Sequence, residues 1–243
     1  MTPTFDVRRR VEIFAGTDEW VPVTVRRAIP PARAALIICD LWDDHWSRGA
    51  AERAAKLAPR IDTVAKRLRE RGALIVHAPS DTMDFYADHP ARVRTRDVPR
   101  VEPPAPLKLP DPPLPIDDSD GGSDTGETEW YRAWTRQSPD VEIADDDVIS
   151  DDGGEIYSVL RSFGIHRVLM LGVHTNMCIL NRSFGIKNLV RWRMPTVLVR
   201  DLTDAMYNPA MPPYVSHDHG TELVVEHIEK HWCPTTTSAD LLA

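Results

Sequence analysis

Arg167-Val168-Leu169-Met170-Leu171-Gly172-Val173-His174-Thr175-Asn176-Met177-Cys178 is the stretch on which the reading of the fold turns. Its opening apolar run has the pattern of a strand covered on both faces in a parallel sheet. The segment after Cys178 reads as a helix to about Arg191, so Cys178 falls at a strand-to-helix turn. Backbone N–H groups are unpaired at a helix start, and the helix dipole favours an anion there, which suits a nucleophilic thiolate. A buried cysteine that merely fills space fits the same local sequence, because free cysteine is among the most buried residue types. The rest of the chain has to decide between the two.

Working outward, Ile156, Val159, Leu160 and Phe163 recur at i, i+3, i+4 and i+7, the mark of an amphipathic helix. Asp151-Asp152 and Glu155 supply acids at its start, and Gly164 ends it. Downstream, Thr196 to Val199 reads as a buried strand ending at Arg200-Asp201. His217 to His231 reads as the last helix, and Cys233 to Ser238 as a short final strand. Upstream, Ala34 to Cys39 is a continuous apolar run ending in Asp40, followed by the acidic and aromatic Leu41-Trp42-Asp43-Asp44-His45-Trp46. Residues 50–71 have helical spacing (Leu57, Ile61, Val64, Ala65, Leu68), with a break or kink expected at Pro59. Ala73 to Ala78 is a second buried strand, ending in Pro79-Ser80-Asp81, and Val141-Glu142-Ile143 and Val148-Ile149-Ser150 look like strand pieces. Residues 5–28 alternate irregularly around Gly16-Thr17-Asp18, which allows an N-terminal β-hairpin. Alternating strands and helices predict an α/β fold with a mainly parallel, Rossmann-like sheet and helices on both faces. Ligands bind beyond the carboxyl ends of such strands, where Asp40 and Cys178 fall. Asp40 as an N-cap of a following turn fits that position equally well.

Composition narrows the function. With 37 acidic residues against 29 Lys and Arg, net charge is −8, so no broad basic field exists for nucleic acid or an anionic membrane. No apolar run reaches the roughly 18 residues of a membrane span, and Met1 to Gly16 has no apolar core of a signal peptide. Three cysteines (Cys39, Cys178, Cys233) give no disulfide framework, and a reducing, cytoplasmic setting is the simplest expectation. Residues 82–140 lack a period and are rich in Pro and then Asp, as binding loops often are. The Asp117 to Asp124 run lacks the ordered spacing and terminal Glu of a calcium loop. Trp130, Tyr131 and Trp134 either pack that loop down or line a pocket, and Trp42, His45, Trp46, Trp130 and Trp134 together suggest an aromatic-lined pocket for a flat or cationic ligand. The chain lacks the Gly-x-Gly-x-x-Gly fingerprint of a dinucleotide site after its first buried strand.

Three features together resemble the isochorismatase-like cysteine hydrolases, the superfamily of the nicotinamidases. They are the strand ending in Asp40, the strand-Gly-x-x-Thr-x-x-Cys run from Leu169 to Cys178, and the later Val199-Arg200-Asp201 with Asp204 following. The resemblance implies a three-layer α/β/α sandwich over residues 33–243, with a long loop at 82–140 and residues 1–32 as an N-terminal extension. It further implies that Cys178 is a nucleophile whose proton passes to Asp40, and that the His174 and Cys178 backbone N–H groups form an oxyanion hole, with a cis peptide preceding His174. The reaction would cleave a small amide or related C–N bond through a thioester, with Trp42, His45, Trp46, Ser80 and Asn176 contacting substrate. The partner is then a small molecule, with neither nucleic acid nor membrane, and a homo-oligomer is an expectation carried from relatives.

One departure stands out. The family lysine should follow the strand at Val148-Ile149, but Ser150-Asp151-Asp152-Gly153-Gly154-Glu155 comes instead. Of the five lysines, only Lys108 lies in a loop that could reach the site; otherwise an arginine such as Arg136 stands in, or nothing does. Without a cation, Asp40 and a neighbouring thiolate would share a proton. Two readings therefore stay open: a working hydrolase, or an altered member that only binds a small molecule or protein. No cofactor is expected, since the region matching the metal site of nicotinamidases reads Asp81-Thr82-Met83-Asp84, without a histidine two residues after Asp81; the alternative is a divalent metal held where His45, Asp81, Asp84 and His89 converge.

Overall fold

The computed structural model describes residues 4–243; residues 1–3 of the N-terminal extension lie outside the described residues. Eight strands form one sheet: β1 (Thr4–Glu12), β2 (Trp20–Ala28), β3 (Ala34–Cys39), β4 (Leu74–Ala78), β5 (Val148–Ile149), β6 (Arg167–Val173), β7 (Thr196–Asp204) and β8 (Thr235–Thr236). Their order is β2-β1-β8-β7-β6-β3-β4-β5. Strands β3 to β8 pair in parallel, and β1 joins as an antiparallel neighbour of both β2 and β8.

The helices are α1 (Arg48–Glu70), α2 (Pro90–Arg96), α3 (Gly153–Ser162), α4 (Cys178–Asn181), α5 (Ile186–Arg191), α6 (His217–His231) and α7 (Ser238–Leu242). The period-2 pleat splits every central strand between two cores. Ala35, Ile37, Cys39, Val168 and Met170 face α3, α4, α5 and α6. Ala34, Leu36, Ile38, Leu169 and Leu171 face α1 and α7. Three layers result, with β3 buried at all six residues. Each fully buried Leu or Ile contributes about 1.5–3 kcal/mol by leaving water.

The hairpin of β1 and β2 is tied to α6 through one face. Arg8 Nε donates to Glu229 Oε1 at 2.7 Å, Arg10 pairs with Glu226, and Trp20 packs edge-on against His231. The Ile13 N–H donates to the Glu19 carbonyl at 2.9 Å. Ladder alternation from that bond puts the Pro22 nitrogen, opposite Arg10, on the free edge. There the missing N–H costs no ladder bond and blunts the edge against further pairing.

The elements depart from the sequence expectations in four places. Helix α1 runs through Pro59 without a break; that ring sits on the exposed face, where water can satisfy the freed carbonyl. Val141 to Ile143 is not a strand, and only Val148–Ile149 pairs with β4. Strand β7 continues past Arg200-Asp201 to Asp204, because its register against β6 shifts between Met170 and Gly172. The single helix expected from Cys178 to about Arg191 is two, α4 and α5, separated by Arg182-Ser183-Phe184-Gly185. Arg182 is extended there (ψ 158°), and Gly185 lies so close to Leu180 that a Cβ would come within 2.9 Å of its carbonyl.

Candidate active site

Asp40 leaves the end of β3 at φ 45°, in the left-handed region, with its N–H donating to the Ala78 carbonyl at 3.0 Å. It is completely buried. Its Oδ1 accepts the Ser80 N–H at 2.8 Å, and its Oδ2 accepts Arg182 Nε at 2.7 Å. The Asp40 charge and the Cys178 thiol are close enough to act on each other, and the His174 backbone amide acts on the same sulfur. The Val173–His174 peptide is cis.

These groups set one another's charge. Burial pushes the Asp40 carboxyl above the usual range, against the pull of Arg182 and the Ser80 hydrogen bonds. Burial, and then the Asp40 charge, push the Cys178 thiol far above its ordinary value. Both shifts oppose a carboxylate and a thiolate side by side. The expectation that a helix start would favour the thiolate gives way, because α4 is a single turn and desolvation outweighs its dipole. Arg182 is held cationic: burial opposes its charge, and Asp40 and Cys178 more than offset that.

Arg182 is the residue that sequence reading missed. Lys108 is exposed on the Pro-rich segment, which packs beside α5 through the Leu107 N–H to Arg191 carbonyl bond. Arg136 pairs with Asp43 and covers Phe85. Where the lysine was expected, the Ser150 hydroxyl donates to Glu155 Oε2 at 2.5 Å, and Glu155 is bound by Arg92. The available signal was the spacing: Arg182 follows Cys178 by four residues, one helical turn.

Above this floor opens a cleft of about 300 Å³ bordered by Cys178, Arg182, Asp81, His45, His174 and four tryptophans. Trp42 and Trp134 stack at 4.0 Å with 12° between planes, so packing and lining are the same act here. Trp130 projects into solvent at the rim. The Arg182 guanidinium lies 5.9 Å from the centre of the Trp42 ring, and Trp42 Nε1 donates to the Ser80 carbonyl at 3.0 Å. His45 Nδ1 accepts the Ser47 N–H at 3.1 Å, which leaves the proton of the neutral ring on Nε2. Burial drives His45 down to about 4; burial, and then His45, drive His174 to about 3. Both are uncharged at neutral pH.

Of the other expected contacts, Trp46 borders the cleft, while Ser80 supports Asp40 from behind through its backbone. Asn176 is occupied elsewhere: its amide donates to Asp118 at 2.7 Å and to the Met206 carbonyl at 3.0 Å. The Asp-rich loop is a strap. Asp124 takes two hydrogen bonds from Arg53, Asp120 accepts from Asn208, and Gly121 rests on Trp46. Two further depressions, of about 400 and 300 Å³, lie by Leu74 and Thr196 at the opposite ends of the strands, far from any of this chemistry.

Among the described residues, no group of three or more His, Cys, Asp or Glu side chains could hold a metal ion. Asp81, at the position of interest, faces Arg182 at 3.4 Å and has its carbonyl bound by Arg132. No helix among them is long and apolar enough to cross a membrane.

Comparison with solved structures identifies the architecture as the isochorismatase-like fold. A cysteine hydrolase from Pseudomonas syringae pv. phaseolicola is 17% identical, over 90% of this chain and 94% of that one, with a TM-score of 0.56. An isochorismatase family protein from Desulfovibrio vulgaris subsp. vulgaris is 15% identical, over 86% and 96%, with a TM-score of 0.50. The pyrazinamidase of Pyrococcus horikoshii, solved in complex with zinc, is 18% identical, over 84% and 99%, with a TM-score of 0.50. No family model and no curated protein matches the chain.

Proposed function

We propose that this protein is a cysteine-dependent hydrolase of a small amide or related C–N bond, with Arg182 acting where the superfamily uses lysine. The observation that carries this is the Asp40–Arg182 pair, 2.7 Å apart, with Arg182 and Cys178 both bordering the aromatic cleft.

As sulfur attacks the carbonyl carbon, the thiol proton passes to the Asp40 carboxylate, which becomes neutral, and Arg182 offsets the negative charge that moves from Asp40 to the sulfur and on to the carbonyl oxygen. The tetrahedral oxyanion accepts from the His174 and Cys178 backbone N–H groups, each such donor worth roughly 3–4 kcal/mol. Asp40 then passes its proton to the departing nitrogen as the C–N bond breaks. Water, deprotonated by the same carboxylate, attacks the thioester and releases the acid, and the proton returns to sulfur. No step is routed through a metal, because the donor set does not fit one.

The test is intact-mass analysis during exposure to a panel of small amides. The expected result is a transient acyl adduct on Cys178 and acid product, both absent in Cys178→Ala. Turnover by Cys178→Ala on the same amide would overturn the assignment.

A further inference from the structure

We infer that the outer edge of Arg182 is a carboxylate-binding fork, so the cleft selects small amides that carry a carboxylate beside the scissile bond. This rests on Cys178 being the nucleophile of the cleft.

An arginine has five N–H donors where a lysine has three on one point charge, and its planar edge matches a carboxylate bidentately. Here only Nε is committed to Asp40, at 2.7 Å. Nη1 makes no hydrogen bond to the described residues, and Nη2 has a single long contact, 3.4 Å, to Asp81 Oδ2. The guanidinium lies 5.9 Å from the centre of the Trp42 ring, and Arg182 borders the cleft together with Cys178. Arg182 is the one cation among the residues bordering the cleft, since His45 and His174 are both neutral at physiological pH.

Asp81 is the counterpart. It is the one acid bordering the cleft, its side chain half exposed, anchored by its N–H to Asp151 and by its carbonyl to Arg132. Its carboxylate occupies the fork loosely, as an internal competitor that a better-placed carboxylate would displace. Loss of Asp81 should therefore strengthen anion binding, whereas loss of the fork should weaken it.

Iodoacetate and iodoacetamide test this directly. Each forms an S–CH₂ bond and releases iodide, and they differ only in carboxylate against carboxamide. The ratio of their rates cancels the ionisation of the thiol. Cys39 and Cys233 are fully buried, so peptide mass mapping confines the reading to Cys178. The acid-to-amide ratio should exceed that of N-acetylcysteine roughly tenfold, the scale of a charge-assisted pair. It should fall about fivefold or more in Arg182→Lys, which keeps the charge but loses the fork, and rise in Asp81→Asn. A ratio matching N-acetylcysteine and indifferent to both substitutions would overturn the fork while leaving the nucleophile intact. Labelling of Cys178 by neither reagent would overturn the hydrolase reading, and the fork with it.

Discussion

Arg182 Nε meets Asp40 Oδ2 at 2.7 Å, although the two residues are 142 positions apart in the chain. The carboxylate is wholly buried, yet each oxygen has a donor: Arg182 on one side and the Ser80 N–H on the other. A buried charge in that state is stable only while its partners remain, because removing one partner leaves the desolvation cost uncompensated.

Arg182→Gln should therefore disturb Asp40 before anything else. The guanidinium is the largest influence lowering the Asp40 carboxyl, so without it the acid rises further above its already raised value. In the proposed mechanism Asp40 acts as the carboxylate, so activity is expected to fall as pH drops through that value. The acid limb of the pH–rate profile should accordingly move to higher pH, and kcat/KM at neutral pH should fall by roughly 10²–10⁴, as for a broken buried pair of about 3–5 kcal/mol. Arg182→Lys should restore part of the loss. An unmoved acid limb would remove Arg182 from the chemistry.

Asp40→Asn should separate acidity from turnover. Burial and the Asp40 charge hold the Cys178 thiol up, while Arg182 pulls it down. Neutralising Asp40 removes one cause of the rise and frees the arginine. The ultraviolet absorbance of the thiolate should then titrate at lower pH than in the parent. Hydrolysis should still be lost, since nothing remains to carry the proton to the leaving nitrogen.

Gly172→Ala should fail to fold stably. Gly172 has φ 111°, and a Cβ there would lie 2.0 Å from the Cys39 carbonyl oxygen in the neighbouring strand. The neighbouring strands β3 and β6, which lead to Asp40 and Cys178, touch at this point, so no flexible side chain can yield. A loss of about 3 kcal/mol or more is expected from the backbone clash and the left-handed strain together, measured by urea unfolding.

Acid should weaken the fold through Asp147. Burial alone would raise this carboxyl, but hydrogen bonds from His77 and Arg69 overcome it and hold it at about 2. A depressed carboxyl contributes stability above its unfolded value, roughly 3.9, and loses it as pH falls to about 2. The contribution is on the order of 2 kcal/mol. Urea unfolding at a series of pH values across that window should show the decline, and Asp147→Asn should remove this part of it.

Helix α6 and strand β3 were legible because their patterns are local. Continuous burial of Ala34 to Cys39 reads directly as a strand covered on both faces, and the apolar spacing of α6 survives in its packing. The helix after Cys178 was misjudged, since its break depends on Gly185 approaching Leu180 and on Gly153 pressing against the Ser183 carbonyl. No residue period records such contacts. The Asp-rich strap was equally opaque: its carboxylates serve Arg53, Asn176 and Asn208, all remote in sequence.

The sequence by itself determined the layered α/β architecture and set Asp40 and Cys178 at neighbouring strand ends, because burial and strand polarity are written residue by residue. Only the tertiary structure decided the cation. Chain order points to a lysine after β5, but charge neutralisation depends on distance in space. The break between α4 and α5 turns Arg182 back across the sheet, and its long side chain reaches the buried carboxylate that no local pattern pairs with it.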